Sequence, residues 1–227
     1  MLKVDGISRS YGELTVVDKL SFTVNEGEFV ALLGPSGCGK STSLKMIAGL
    51  EVPEAGSIEL DGRDITRLSP GERKLAMVFQ SYALFPHLKV EENILFGLQA
   101  RKVSKAEQKR RLDSVVEMVG LGDHLQKKPS QLSGGQCQRV ALARAIVAQA
   151  KLCLMDEPLS NLDAKLRNEM RTEIRALQQR LGMSVIYVTH DQVEAMSMAD
   201  RIVLMNNGKV EQIDVPEALY SKPKTIF

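Results

Sequence analysis

The run Gly34-Pro35-Ser36-Gly37-Cys38-Gly39-Lys40-Ser41-Thr42 narrows the architecture before any other part of this sequence is read. It fits G-x-x-x-x-G-K-[ST] through Gly34, Gly39, Lys40 and Ser41. It stands between FVALL, an apolar run of strand character, and KSTSLKMIAGL, in which Leu44, Ile47 and Ala48 share a helical face before Gly49 supplies a stop. Strand, glycine-rich loop and helix in that order form a phosphate-binding turn. The glycines let backbone N–H groups face phosphate oxygens, and the helix N-terminus adds partial positive charge. Lys40 then neutralises the outer phosphates, and Ser41 can ligate Mg²⁺. A chance glycine turn is the alternative, and the flanking strand and helix argue against it.

The rest of the chain supplies a sheet for that turn. LKVDGIS, LSFTV and FVALLG read as strands, and SIELDGRDI carries an Asp-Gly turn. Residues 104–119 form an amphipathic helix with Leu112, Val115, Val116 and Val119 on one face, and its basic run is its wet side. A second helix follows LSGGQ through CQRVALARAIVAQA, then come the strand LCLMD, a long polar helix over about 164–180 and the strand SVIYVTH. RIVLMNNGKVEQI reads as a hairpin turning at Asn207-Gly208. Strands alternating with helices after the first third imply an α/β fold with a mostly parallel sheet. At 227 residues the chain can bury a sizeable core. Its net charge of +2 is interspersed, which argues against a dedicated nucleic-acid binder. No apolar run approaches the roughly 20 residues that span a bilayer. The N-terminus lacks the apolar core of a secretion signal, so a soluble, cytoplasmic chain is expected. Cys38, Cys137 and Cys153 form no C-x-x-C pair and read as free thiols. Cys38, close to a helix N-terminus and to Lys40, is expected to favour the reactive thiolate.

Two further motifs bear on chemistry. LCLMDEP sends four apolar residues along a buried strand and delivers Asp156 to its C-terminal tip, where open α/β sheets bind ligands. Asp156 would hold Mg²⁺ and Glu157 would face an attacking water, although an acidic pair after a strand can also be a helix cap. In LSGGQ, Ser133, Gly134 and Gly135 could offer a hydroxyl and backbone N–H groups to an anion at the start of a helix. An N-cap with a glycine hinge is the alternative.

GPSGCGKST, VFQ, LSGGQ, LCLMDEP, SNLD and VTHD, in this order, resemble the nucleotide-binding subunit of an ATP-binding cassette (ABC) transporter, over nearly the whole chain. The resemblance implies an α/β P-loop NTPase of RecA-like, mostly parallel core, with an N-terminal antiparallel β subdomain and a helical signature subdomain. It implies one ABC ATPase domain over 1–227, with the helical part inserted at about 88–150. ATP and Mg²⁺ are the implied ligands. Gly34 to Thr42 would hold the phosphates, with Pro35, Ser36, Gly37 and Cys38 inside the loop. Ser41, Asp156 and Gln80 would serve the metal, and Glu157, His190 and Gln80 the hydrolysis. Tyr11 matches the aromatic that stacks on adenine, with a structural tyrosine as the alternative. His190 resembles the switch histidine at the γ-phosphate, where a lone histidine is otherwise a core or cap residue.

In that family two cassettes pack head to tail. Ser133, Gly134, Gly135 and Gln136 would then complete the partner's site, and Asp163 would cross the seam. A C2 dimer permits this reciprocity. Cys137 stands where Arg or Lys commonly follows the signature, a departure expected to alter contacts beside the loop and to spare ATP binding. The apolar segment 81–98 is either ordinary core or the groove that accepts a helix of the membrane subunits. YALFPHL, EPLSNLDAKLR and YVTHDQVEAM look closer still to importer cassettes of the maltose, glycerol phosphate, polyamine and sulfate type. These continue into a small β-rich regulatory domain, which would begin near YSKPKTIF. The implied partners are a second cassette, permease subunits and a solute-binding protein, with no nucleic acid. The implied place is peripheral, on the cytoplasmic face of the inner or plasma membrane. The competing class is a soluble cassette acting on nucleic acid or ribosomes. Its members split their motifs with a long coiled coil or carry two motif sets, and neither pattern occurs here. No N-K-x-D motif suggests a GTPase.

Overall fold

Alternating burial at residues 2–5 and unbroken burial at 29–33 and 184–189 distinguish two kinds of sheet. The structure, a computed structural model, describes residues 1–225. Its strands are β1 (Leu2–Tyr11), β2 (Leu14–Val24), β3 (Phe29–Leu33), β4 (Ala55–Leu60), β5 (Arg63–Asp64), β6 (Ala76–Val78), β7 (Leu152–Asp156), β8 (Ser184–Thr189), β9 (Arg201–Asn206) and β10 (Lys209–Asp214). Its helices are α1 (Lys40–Ala48), α2 (Pro70–Arg73), α3 (Val90–Ala100), α4 (Lys105–Met118), α5 (Gly134–Val147), α6 (Ala164–Leu181), α7 (Gln192–Met198) and α8 (Pro216–Ser221). They belong to two units, the first made of 1–75, 151–157 and the described residues from 171 on, the second of 76–150 and 158–170.

In the first unit β2, β1, β4 and β5 are neighbours in that order and antiparallel throughout. Leu2 and Val4 of β1 are buried and Lys3 and Asp5 exposed, the alternation of a sheet covered on one face. The β4–β5 turn uses Asp61 and Gly62 at φ 52° and 76°, as the Asp-Gly signal predicts. The other sheet of this unit runs β10, β9, β3, β8, β7, with β9, β3, β8 and β7 parallel and β10 antiparallel at the edge. Every residue of β3 and β8 is buried, the pattern of strands covered on both faces. Because β3, β7 and β8 are parallel, with Leu33 opposite Thr189 and Asp156 opposite Val188, they end at the same edge. That edge is where open α/β sheets take ligands.

Helix α1 ends as the sequence predicts, with Gly49 at φ 80° donating to the Lys45 and Met46 carbonyls. Arg73, only 3% exposed, sits under this terminus. Its Nε donates to Leu68 O, Nη1 to Met46 O and Ile47 O, and Nη2 to Thr66 O. Four backbone carbonyls thus hold a buried cation, which keeps its charge because arginine does not deprotonate in proteins.

In the second unit α3 packs against α4 and α5. Helix α4 buries Leu112, Val115 and Val116, and Val119 beyond its end is buried as well. The apolar stretch 81–98 resolves into a loop and then α3, joined through the fully buried Asn93. Its amide accepts from Phe85 N–H and donates to the carbonyls of Phe85, Leu88 and Lys89. Helix α5 begins at Gly134, three residues before the CQRV run where the hydrophobic pattern starts it. Among the described residues no helix is long and apolar enough to cross a membrane.

Candidate functional site

The phosphate loop leaves β3 and enters α1. Its three motif glycines answer different needs. Gly34 gives close approach, since a Cβ there would lie 2.2 Å from Met205 O and 2.8 Å from Cys38 Sγ. Gly37 and Gly39 turn the chain at φ 81° and 96°, and a Cβ on Gly39 would also lie 2.4 Å from Val16 O. Gly208, in the β9–β10 turn, braces the loop: its N–H donates to Cys38 O at 3.2 Å while its carbonyl accepts from Asp18 N–H at 2.9 Å. The α1 N-terminus has no side-chain cap and no acidic residue in its first turn, so its N–H groups and partial charge suit an anion. Lys40, 4% exposed, lies over the loop and donates to Gly34 O and Pro35 O, both at 2.8 Å. Pro35, Ser36 and Gly37 are exposed, and Ser41 and Thr42 are half-buried.

Cys38 departs from expectation. It is 4% exposed, and burial pushes its thiol pKa up by more than the Lys40 charge and the backbone hydrogen bonds pull it down. Lys40 Nζ stands 3.8 Å from the sulfur. Desolvation outweighs attraction here, so the loop does not present a ready thiolate.

At the C-terminal tip of β7, Asp156 Oδ1 accepts from Ser41 Oγ at 2.7 Å. Burial holds the Asp156 carboxyl above its usual range, with the Glu157 charge adding to the rise and the Ser41 hydroxyl offsetting part of it. A hydroxyl and a carboxylate raised in this way form a hard-oxygen pair that a divalent cation would relieve, which fits Mg²⁺. Glu157 follows with a left-handed φ of 43°, its N–H bonded to Val188 O at 3.0 Å. Its Oε2 lies 3.1 Å from His190 Nδ1, and as a carboxylate only accepts, the ring donates from Nδ1. His190 is exposed, just past β8. Tyr11 is 46% exposed. Its hydroxyl donates to Glu51, and the Arg9 guanidinium stands 5.2 Å from its ring centroid.

In the second unit Ser133 caps α5. Its Oγ accepts from Gln136 N–H at 3.3 Å, and Gln136 Oε1 accepts from Ser133 N–H at 2.9 Å. Gln136 Nε2 reaches His124 Nε2 at 3.2 Å. Neither Gly134 nor Gly135 has a left-handed φ. Both are helical, and Gly135 makes room, since a Cβ there would meet Leu166 Cδ2 at 2.9 Å. The capping alternative is thus realised without a hinge. The exposed Gln80 donates through Nε2 to Ser160 Oγ at 3.2 Å, and Asn161 Nδ2 donates to Gln80 O at 2.9 Å. Asp163 caps α6, its Oδ1 accepting from Leu166 N–H at 3.0 Å. Cys137 is half-buried, its thiol pKa raised by burial, with Sγ 3.7 Å from Pro129 O.

Sequence reading missed Glu194. Buried at 4% exposure, its Oε2 accepts from Tyr187 Oη at 2.9 Å and from Thr189 Oγ1 at 2.7 Å. Thr189 Oγ1 also accepts from Asp191 N–H at 3.0 Å, so the residues on either side of His190 are held by one carboxylate. Burial, reinforced by the Glu194 charge, raises the Tyr187 phenol pKa well above its usual range. The available signal was an acid on the first turn of a helix that directly follows a fully buried strand.

The family model described as ABC transporter matches residues 17–160. The chain belongs to the ABC transporter family. This cassette is 52% identical, over 100% of its length and 64% of the relative's, to the sn-glycerol-3-phosphate import ATP-binding protein UgpC of Ruegeria pomeroyi. It is 51% identical, over 100% of its length and 69% of the relative's, to the spermidine/putrescine import ATP-binding protein PotA of Bacillus cereus. The cassette therefore spans about two thirds of those relatives. Among solved structures it is similar to cbiO1 of Clostridium perfringens, part of the cbiONQ ABC transporter complex, at TM-score 0.88 and 28% identity, over 97% of the cassette and 90% of that chain. It is also similar to the dimeric cassette MJ0796 bound to ADP and Pi, at TM-score 0.81 and 31% identity, over 95% of the cassette and 99% of that chain.

Proposed function

We propose that this cassette binds and hydrolyses ATP as the motor subunit of an importer, closing as a dimer on nucleotide and driving separate membrane subunits. The observation that carries this reading is the meeting of Lys40, Ser41, Asp156, Glu157 and His190 at the edge where β3, β7 and β8 end. The loop from Gly34 to Thr42 holds the phosphates through its backbone N–H groups, and Lys40 balances the charge of the outer ones. Ser41 and Asp156, with Gln80, would hold Mg²⁺, which would supply charge neutralisation to the phosphates. Glu157 polarises the attacking water or takes its proton, and His190 orients that carboxylate and contacts the γ-phosphate. Tyr11 stacks on adenine. Ser133 to Gln136 and Asp163 serve the nucleotide of the second cassette. The helical region belongs to the same single domain. Import rests on what the two curated relatives are named for. The working place is the cytoplasmic face of the membrane, against permease subunits supplied by a solute-binding protein.

Glu157→Gln tests the assignment. It keeps the shape of the side chain and removes the base, so ATP binding should persist while hydrolysis falls about 10²- to 10⁴-fold. The closed dimer should then accumulate in sedimentation with Mg-ATP. A variant that hydrolyses ATP at the wild-type rate ends the proposed role. Mixing Lys40→Ala with Ser133→Arg tests the shared site. Random pairing leaves about a quarter of all sites with two intact loops, so partial recovery of hydrolysis is expected. Loops acting within one chain give none.

A further inference from the structure

We infer that Arg144 is a positioning residue that ties the helix begun by Ser133 to the loop carrying Gln80. The inference rests on the proposed ATPase roles of Ser133 and Gln80. Every contact it uses lies within the second unit. Arg144 is in the last turn of α5, half-buried. Its Nη1 donates to Ala83 O at 2.7 Å and its Nη2 to Tyr82 O at 2.8 Å. Those two residues are not ordinary acceptors. Tyr82 and Ala83 are consecutive non-glycine residues with left-handed φ, 62° and 45°. L-residues avoid that region, and two in succession need an outside partner to persist. Successive residues of one helical hand aim their carbonyls the same way, and the planar fork of a guanidinium takes two parallel acceptors where an ammonium takes one direction at a time. Strained turn and arginine therefore explain each other.

The turn begins two residues after Gln80, whose side chain and carbonyl are held by Ser160 and Asn161. The loop is thus tethered at Gln80 and again at Tyr82 and Ala83. The helix whose N-terminus carries Ser133 grips the turn through Arg144 in its last turn. A displacement of α5 is then passed to Gln80 through two residues of stiff backbone. Loss of the fork lets the turn relax toward ordinary φ values and frees Gln80 from the helix, while the phosphate loop, in the other unit, keeps its structure.

The test separates positioning from folding. Arg144→Lys keeps the charge and loses the fork. It should lower kcat for ATP hydrolysis at least 10-fold while KM and the affinity for a fluorescent ATP analogue stay within about 3-fold, by analogy with losses of interactions made only in the transition state. Hydrogen exchange should rise several-fold in peptides covering Tyr82 and Ala83 and remain unchanged in those covering the phosphate loop. Adding Ala83→Gly should restore much of kcat, because glycine accepts positive φ without help. Wild-type kcat in Arg144→Lys, or equal losses of kcat and analogue affinity without rescue by Ala83→Gly, overturns the inference. Should Arg144→Lys not fold, Ala83→Val leaves the arginine in place and disfavours the same φ, and a wild-type rate there is equally fatal. The exchange arm needs no turnover. A wild-type protein that fails to hydrolyse ATP therefore defeats the functional reading alone, whereas unchanged exchange at Tyr82 and Ala83 in Arg144→Lys defeats the tether alone.

Discussion

Two glycine loops in this chain each lead into a helix, and they solve opposite problems. The loop before α1 keeps its helix start uncapped and bends at Gly37 and Gly39 with φ 81° and 96°, so that backbone donors stay available. The loop before α5 closes its helix start with the reciprocal Ser133–Gln136 cap and places Gly134 and Gly135 inside the helix. In the first loop glycine provides conformation at Gly37 and Gly39 and close approach to β9 at Gly34. In the second it provides space, for Leu166. A glycine-rich string alone does not say which, and the two loops should respond differently to the same added methyl group.

The largest effect is expected at Gly34. Alanine there drives Cβ to 2.2 Å from the Met205 carbonyl, a backbone atom of β9 that cannot swing aside. Gly34→Ala should cost about 3 kcal/mol or more in urea unfolding and abolish ATP binding by the folded remainder. A variant within about 1 kcal/mol of wild type would show that close approach to β9 does not shape the loop. An intermediate and reversible effect is expected at Gly135. Its added methyl meets the Leu166 Cδ atoms at 2.9 and 3.1 Å, the tip of a flexible side chain, while alanine gains helix propensity. Gly135→Ala should therefore shift stability by no more than about 1 kcal/mol, and in a Leu166→Ala background it should stabilise by about 1 kcal/mol. If it destabilises both backgrounds equally, Leu166 is not what the glycine accommodates. An effect of similar size is expected at Ser133, where alanine removes a side-chain cap worth about 1 kcal/mol in thermal unfolding. A cost well above that would mean Ser133 holds more than its own helix start.

Signals confined to a few neighbouring residues were legible in the sequence. Asp61-Gly62 and Asn207-Gly208 turn where dipeptide chemistry puts them, both at positive φ. Gly49 stops α1, and the apolar run before Asp156 is the buried strand β7. The motif residues could likewise be named singly. Features set by distant partners were not legible. Cys38 is buried, and its carbonyl accepts from Gly208 N–H in the distant β9–β10 turn, a setting that local charge reasoning around Lys40 does not contain. The first half of β2 was missed because Lys19 interrupts the strand at φ 52°, so its alternation does not hold one phase. The short α2, α7 and α8 carry too few turns for a periodic signal. Helix α5 begins early because the Ser133–Gln136 cap, and not its apolar face, sets its first residue.

Gly49 and Arg73 make one lesion reachable from two positions. The space where a Gly49 Cβ would stand is filled by the Arg73 guanidinium, 2.6 Å away at Nε and 3.0 Å at Cζ. Either a side chain at 49 or a shorter one at 73 removes the same group from the same four carbonyls, among them those of Met46 and Ile47 at the end of α1. The free energies of the two changes are therefore not additive: once the guanidinium has left, the second substitution has little left to break. A mutational survey of this chain that scored positions independently would count a single contact twice.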